Sequence, residues 1–458
     1  MMADGRLAGS HLDPTLRLDK LQLSRFHWRL LLVSGIGWMF DSMDVGIISF
    51  VVATLAREWK LQPDQVAWML SVGLLGMLLG AAISGTLADR FGRKTIFQAT
   101  LLTFSLATGF CALAWSYASL VAARFLVGFG LGGELPIAST LVSEFSPARW
   151  RGRLMVLLES FWAYGWVLAA LVAFFLIPQY GWRVAFLVGA APAFYVFVLR
   201  RSLPESPRFL LAQGRHAEAE EVIARVERES GVATPLATVP EDAAPHGHVA
   251  ASSAFQRFAE LWSRRYLRRT VMLWLLWFTI VYSYYGIFTW MPTLLSESGR
   301  DLTRSFAYVL IITLAQIPGY FSAAYLVEKL GRRWTLAAYL FLTGVGAFFF
   351  RNAGTEVAVL FWGSFISFFN LGAWGVVYTY TPELYPTRVR GTGAGWAAAC
   401  GRLAGVLAPL VVGQMLPTWG VGYEAIFLMF SGVLLVGAAD VAILGEETKG
   451  KTLEEIAG

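Results

Sequence analysis

Twelve stretches of about 20 apolar residues follow one another along this chain, and no other feature restricts the fold as severely. They fall at roughly 28–53, 65–88, 95–115, 118–141, 153–177, 183–202, 269–294, 304–328, 334–350, 356–380, 392–417 and 422–444. Each is long enough to cross a bilayer as a helix. Hydrocarbon offers a backbone amide no partner, so the hydrogen bonds must close within helices. The expected fold class is therefore an all-α membrane protein with twelve transmembrane helices. Composition agrees: 56% of the 458 residues are hydrophobic and 15% charged, where soluble domains carry about a quarter charged.

Charge placement orients the bundle. The short loops after the second, fourth, eighth and tenth runs read "DRFGRK", "ARWRGR", "EKLGRRW" and "TRVRG" and hold eleven Lys or Arg. The loops on the other side hold fewer, mixed with Glu and Asp. The positive-inside rule then puts both termini in the cytoplasm. Topology accounts for the net charge of +6, so no nucleic-acid partner is implied. The opening "MMADGRLAGSHLDPTLRLDK" lacks the layout of a cleavable signal peptide. Cys111 and Cys400 fall inside expected helices and give neither metal spacing nor a disulfide framework. No cofactor is expected.

One polar stretch, 203–266, separates an N-terminal six-helix half (1–202) from a C-terminal one (267–458). Within it "RHAEAEEVIARVERES" has helical spacing, while "GVATPLATVPEDAAPHGHVAASS" reads as a flexible linker. His246 and His248 in that linker lack the acid or Cys spacing a metal site needs. A repeat relates the halves. Asp89, Gly92 and Arg93 recur as Glu328, Gly331 and Arg332, each 239 positions on. At the same offset Glu144, Pro147, Arg149, Arg151 and Gly152 recur as Glu383, Pro386, Arg388, Arg390 and Gly391. Two motifs at one offset indicate two pseudo-symmetric halves in parallel orientation, with a binding site expected between them near mid-membrane.

These motifs resemble the major facilitator superfamily over essentially the whole chain. "GTLADRFGRK" is similar to its signature loop between the second and third helices. "RFLVGFGLGGELP", "PESPRFLL", "PELYPTRVRGTG" and the tail "EETKGKTLEEI" resemble the sugar-porter and organic-ion branch, although Glu446 stands where that branch usually has Pro. At one face of the membrane, Asp89, Arg93, Glu144, Arg149, Arg151, Glu328, Glu383, Arg388 and Arg390 form a candidate cytoplasmic gate. They are expected to pair across the halves when the inside is shut. Orientation alone would need the bases but not the acids.

Charges inside the apolar runs are functional candidates, because each costs roughly 2.5–3.5 kcal/mol to insert at a helix centre. They are Asp41 and Asp44 in the first run, Arg124 and Glu134 in the fourth, Glu159 in the fifth and Arg402 in the eleventh. Asp44 and Arg124 lie at similar depth in one half, so they form a reasonable pair. Asp41 is one turn away on the same helix face. Neighbouring carboxylates raise each other's proton affinity and an Arg lowers it, so one acid can stay ionised while the other exchanges a proton. "MDVGIIS" is similar to the first-helix acid motif of proton-coupled sugar porters, and "DSMD" to the paired acids of aromatic-acid/proton symporters. A purely structural ion pair, or a counter-charge for a cationic substrate, is the competing reading.

Arg402 has no acid at its depth within its own half, which invites a carboxylate ligand held bidentately. Alternatively it bonds a backbone carbonyl or an acid of the other half. The 239 offset sets Arg402 opposite Ala163, beside Trp162, and sets Asp41 and Asp44 opposite Ile280 and Ser283, beside Tyr284 and Tyr285. Asn370, Trp374 and Tyr378 share one face of the tenth helix. A flat ligand between Trp162 and Trp374 uses these parts most simply. The seventh run, "WLLWFTIVYSYYGIFTWMP", has none of the amides that sugar porters use there, which argues against a polyol.

"GWMFDSMDVG", "SYYG" and "FWAYGW" resemble bacterial niacin (nicotinate) permeases, and related segments resemble synaptic vesicle glycoproteins. The resemblance implies a monomeric proton-coupled importer of a small aromatic monocarboxylate, foremost nicotinate, in a bacterial inner (plasma) membrane. Its substrate site would comprise Arg402, Trp162, Tyr284, Tyr285, Asn370, Trp374 and Tyr378, and its proton site Asp41, Asp44 and Arg124. An organic-cation transporter with Asp41 and Asp44 as counter-ions is the alternative. No nucleophile–base set or phosphate loop suggests an enzyme.

Overall fold

The computed structural model describes residues 16–147, 149–232, 254–297, 301–418 and 423–449. Twelve helical spans are long and apolar enough to cross a membrane: α1 (Arg25–Glu58), α2 (Pro63–Ala88), α3 (Arg93–Ala112), α4 (Tyr117–Phe145), α5 (Arg151–Tyr180), α6 (Arg183–Ser202), α7 (Leu267–Glu297), α8 (Leu302–Leu330), α9 (Arg332–Phe350), α10 (Glu356–Glu383), α11 (Val389–Leu416) and α12 (Tyr423–Leu444). Among the described residues there is no strand. The chain is an integral membrane protein. Short helices Pro207–Ala212, His216–Glu229 and Ala254–Leu261 lie between α6 and α7. The linker with His246 and His248 lies outside the described residues, as does the tail beyond Lys449.

Most helices outrun their apolar cores because polar residues finish their end turns. Pro63 opens α2 at a position where its missing N–H costs nothing. Ser116, Asp301 and Thr355 accept from the backbone N–H three residues on, at 3.2, 2.9 and 3.2 Å, and so cap α4, α8 and α10. Three spans that read as continuous in the sequence are interrupted, α6 by a 3-10 turn at Ala191–Phe194. α4 gives way at Gly132–Gly133 between Tyr117–Leu131 and Glu134–Phe145, and α8 at Ala315. A Cβ at Gly132 would run into the Met77 carbonyl of α2, so close backbone approach accompanies the first break.

The sequence repeat has a structural counterpart at the same offset. Gly92 (φ 96°) and Gly331 (φ 89°) pass the chain directly from α2 to α3 and from α8 to α9, in backbone conformations that only glycine adopts readily. Glu205 Oε1 accepts from the N–H groups of Arg93 (3.0 Å) and Lys94 (3.3 Å), and Glu447 Oε1 accepts from the Arg332 N–H (2.9 Å). A carboxylate thus caps the positive end of a helix in each half. A Cβ at Gly80 would strike the Phe129 carbonyl, and one at Gly319 the Phe368 carbonyl, so α2 meets α4 as α8 meets α10.

The side bearing the α2–α3 and α4–α5 connections is here termed the basic face. There the helix Leu16–Asp19 docks on His216–Glu229. Arg17, 5% exposed, donates to Glu227 at 2.8 Å and to Glu220 at 2.5 Å. Removing one partner of such a buried pair costs about 3–5 kcal/mol.

Away from the basic face the halves are sealed against each other. Phe50 of α1 meets Phe306 of α8 edge-on, ring centres 5.2 Å apart. A Cβ on Gly413 of α11 would collide with Ala67 of α2. Arg57 donates to the Ser296 carbonyl at 2.6 Å. Below this seal the halves separate around a cavity.

Candidate functional site

The cavity has a volume of about 340 Å³, and its wall comes from both halves. Trp38 of α1, Glu159 and Trp162 of α5, and Pro136 and Ser139 of α4 face Trp277 and Tyr285 of α7, Tyr320 of α8, Trp374 and Tyr378 of α10, and Arg402 of α11. It runs from mid-depth past Met155, Pro382 and Ala394, which lie near the basic-face ends of their helices.

Arg402 makes no ion pair with any described residue. The hydroxyls of Tyr378 and Tyr285 stand within electrostatic reach of it. A guanidinium held in an apolar, aromatic surround and turned into a cavity has the geometry to take a planar anion. The rings around it are fixed. Trp38 and Trp162 lie 4.7 Å apart, Trp162 Nε1 donates to the Tyr284 hydroxyl at 2.7 Å, and Trp277 stands edge-on to Trp374 and Tyr378 at 5.9 and 5.3 Å. Tyr378 stands within electrostatic reach of both Glu159 and Arg402, so acid and base face the same space.

Not every residue expected in the wall is there. Tyr284 and Asn370 are fully buried behind it. Tyr284 braces Trp162 and packs 5.7 Å from Trp374, while Asn370 donates to Ser283 at 3.3 Å. Their helical positions are as read, but neighbouring helices cover them. Conversely, Trp38, Trp277, Tyr320 and Glu159 stand in the wall without having been expected there. Glu159 was visible as an intramembrane charge without a role. Nothing in the sequence separates Trp38, Trp277 and Tyr320 from lipid-facing aromatics.

The acids of α1 sit deeper in the N-terminal half. Asp44 accepts from Arg124 Nη1 and from Thr108 Oγ1, each at 2.7 Å. All three residues are buried. Asp41, one turn along, has neither carboxylate oxygen hydrogen-bonded. Asp41 and Asp44 are both 0% exposed and do not line the cavity. Tyr285 links the two regions, standing within electrostatic reach of Arg402 on one side and Asp41 on the other.

At the basic face the described partners of the gate candidates come from their own half or from the stretch just after it. In the first, Glu144 accepts from Ser206, while Arg151 donates to Asp19 and to the Ser143 carbonyl at 3.0 Å. In the second, Glu383 accepts from Thr448 at 2.6 Å and from Arg332 at 3.2 Å, and Arg390 donates to the Pro382 carbonyl at 3.0 Å. Arg93 lies over the Phe209 ring, and Arg149 and Glu328 are exposed. The side chains of Asp89 and Arg388 lie outside the described residues. The tail therefore works like "PESP": Glu447 and Thr448 repeat the contacts of Glu205 and Ser206. Glu446, in place of the usual Pro, pairs with Arg269 at 2.7 Å.

Twelve spans in two matched sets around one central cavity make this a secondary transporter of the major facilitator type. The chain belongs to the sugar (and other) transporter family, whose model matches residues 37–458. It is 52% identical over 445 residues to the niacin transporter NiaP of Acinetobacter baylyi, covering 97% of this chain and 100% of that one. It is 46% identical over 426 residues to the putative niacin/nicotinamide transporter NiaP of Bacillus subtilis, covering 93% and 98%. Among solved structures, the partially occluded inward-open xylose transporter XylE of E. coli superposes with a TM-score of 0.75 at 19% identity, covering 94% of this chain and 100% of that one.

Proposed function

We propose that the protein imports nicotinate with protons, by alternating access, across a bacterial plasma membrane, with its termini in the cytoplasm and as a monomer. The observation that carries the substrate is Arg402, without an acid partner among the described residues and facing a cavity walled by Trp and Tyr. The identities to niacin transporters point the same way. A carboxylate binds at Arg402 and the ring lies between Trp162 and Trp374. Glu159, across the same space, gives a ring nitrogen a partner that benzoate would not use. The cation alternative loses support, since Asp41 and Asp44 lie behind the wall and Asp44 is taken by Arg124.

Proton coupling is supported by proximity. Asp44 is held by Arg124, whereas Asp41 can change protonation without breaking a bond, and Tyr285 stands within electrostatic reach of both Asp41 and Arg402. The cavity extends toward the basic face while the other face is sealed, so this conformation is the inward-facing one. Within-half pairing of the gate residues suits an open inside. Closing it would bring the two clusters together.

The test is uptake of labelled nicotinate into proteoliposomes. We expect accumulation driven by an inward proton gradient, with competition by nicotinate stronger than by benzoate. Failure to take up either acid would sink the substrate assignment. Uptake indifferent to the gradient would sink the coupling alone.

A further inference from the structure

Glu134 is an intramembrane acid that the substrate site and the Asp44–Arg124 pair leave without a task. It is 0% exposed and opens the second segment of α4, just past the Gly132–Gly133 break. Thr100 of α3 donates to its Oε1 at 2.6 Å, while its Oε2 has no partner. The break aims it. A Cβ at Gly133 would strike Ser84 of α2 and Thr100, so glycine lets α4 lie close to both helices.

Across from Glu134 is Asp41, whose two oxygens are also without partners. The charges of Glu134 and Asp44 both act on Asp41, so the three carboxyls are electrostatic neighbours. Glu134 stands eleven residues from the basic-face end of α4 at Phe145, and Asp41 sixteen from the start of α1 at Arg25. Glu134 is therefore the nearer of the two to the basic face. Around the pair stand Asp44 and Arg124, bonded to each other, with Cys111 beside them. Tyr285 faces Asp41 from α7, and Glu159 lies beyond Trp38 from α5. From α3 and α2 come the uncharged Thr100 and Ser84.

One Arg cannot offset three buried carboxylates, and uncompensated charge in a dry interior is costly. No group of three ligating side chains among the described residues could hold a metal ion there. Protons are the counter-charge that fits. We propose that Glu134 is a proton-relay carboxyl acting through Asp41, on a path inside the N-terminal half and separate from the substrate cavity. In the transfer the Asp41 O–H bond breaks and an O–H bond forms on Glu134, so the charge moves from one carboxyl to the other and the total is unchanged. Import supplies the proton from outside, and Glu134 passes it toward the basic face.

This rests on the proton-coupled reading, and the experiment separates the two. Wild type, Glu134→Gln and Glu134→Asp are reconstituted and assayed both for gradient-driven accumulation of nicotinate and for nicotinate counterflow without a gradient. Glu134→Gln should lose driven accumulation by about tenfold or more and flatten its pH profile, with counterflow within about twofold of wild type. Glu134→Asp, which keeps a carboxyl, should recover most of the driven uptake. Equal loss in both assays would mean that Glu134 only fastens α4 to α3, and would overturn the relay. Driven uptake unchanged in Glu134→Gln would overturn it as well, leaving coupling intact. A wild type indifferent to the gradient would overturn both.

Discussion

Arg402→Ala is expected to lower nicotinate uptake by about two to four orders of magnitude. A guanidinium holding a carboxylate donates two charge-assisted bonds of about 1.5–3 kcal/mol each, and about 1.4 kcal/mol is worth a factor of ten. Nothing else described in the wall can replace it, since no other Lys or Arg lines it among the described residues. Arg402→Lys keeps the charge but loses the planar fork, and should fall by about tenfold. The measurement is initial uptake rate against nicotinate concentration for the three proteins, normalised to folded protein. Near-normal uptake by Arg402→Ala would place the carboxylate elsewhere and remove the main support for the anion assignment.

The second large effect belongs to the buried pair. Asp44→Asn leaves Arg124, 2% exposed, without its countercharge and should destabilise the fold by about 3–5 kcal/mol while abolishing driven uptake. Asp44→Asn combined with Arg124→Gln removes both charges and should restore most of the thermal stability, but not transport. Thermal unfolding in detergent beside uptake separates the two roles. Unchanged stability in the single variant would mean that the pair contributes little, and recovery of transport in the double variant would reduce it to scaffolding.

The spans were legible because about 20 consecutive apolar residues have few other uses. The two-half arrangement was legible because Gly92 and Gly331 must be glycine for a conformational reason, which leaves a mark in the sequence. Asp44 and Arg124 could be matched by depth alone, since charges are rare inside the apolar runs. The cavity wall was only partly legible. Trp162, Tyr285 and Arg402 lie in the wall as the 239 offset suggested, and Trp374 and Tyr378 as their shared helix face did, but Tyr284 and Asn370 sit one layer back. Offset and helix face give depth and direction, whereas helix tilt and neighbouring bulk decide which side chain reaches the opening. The breaks in α4, α6 and α8 were hidden for a related reason, because an apolar run reads alike whether its helix is whole or interrupted.

The seal away from the basic face is built mainly of rings and small aliphatic groups: Phe50 on Phe306, Ala67 against Gly413, and Trp166 beside Phe288. Opening it would bring those surfaces into contact with water, so the reverse conformation carries the larger heat capacity. Hydrophobic contact weakens on cooling. Low temperature should therefore shift the resting population toward the outward-facing form, a drift that inter-half distances from spin labels, read across a temperature series, would display.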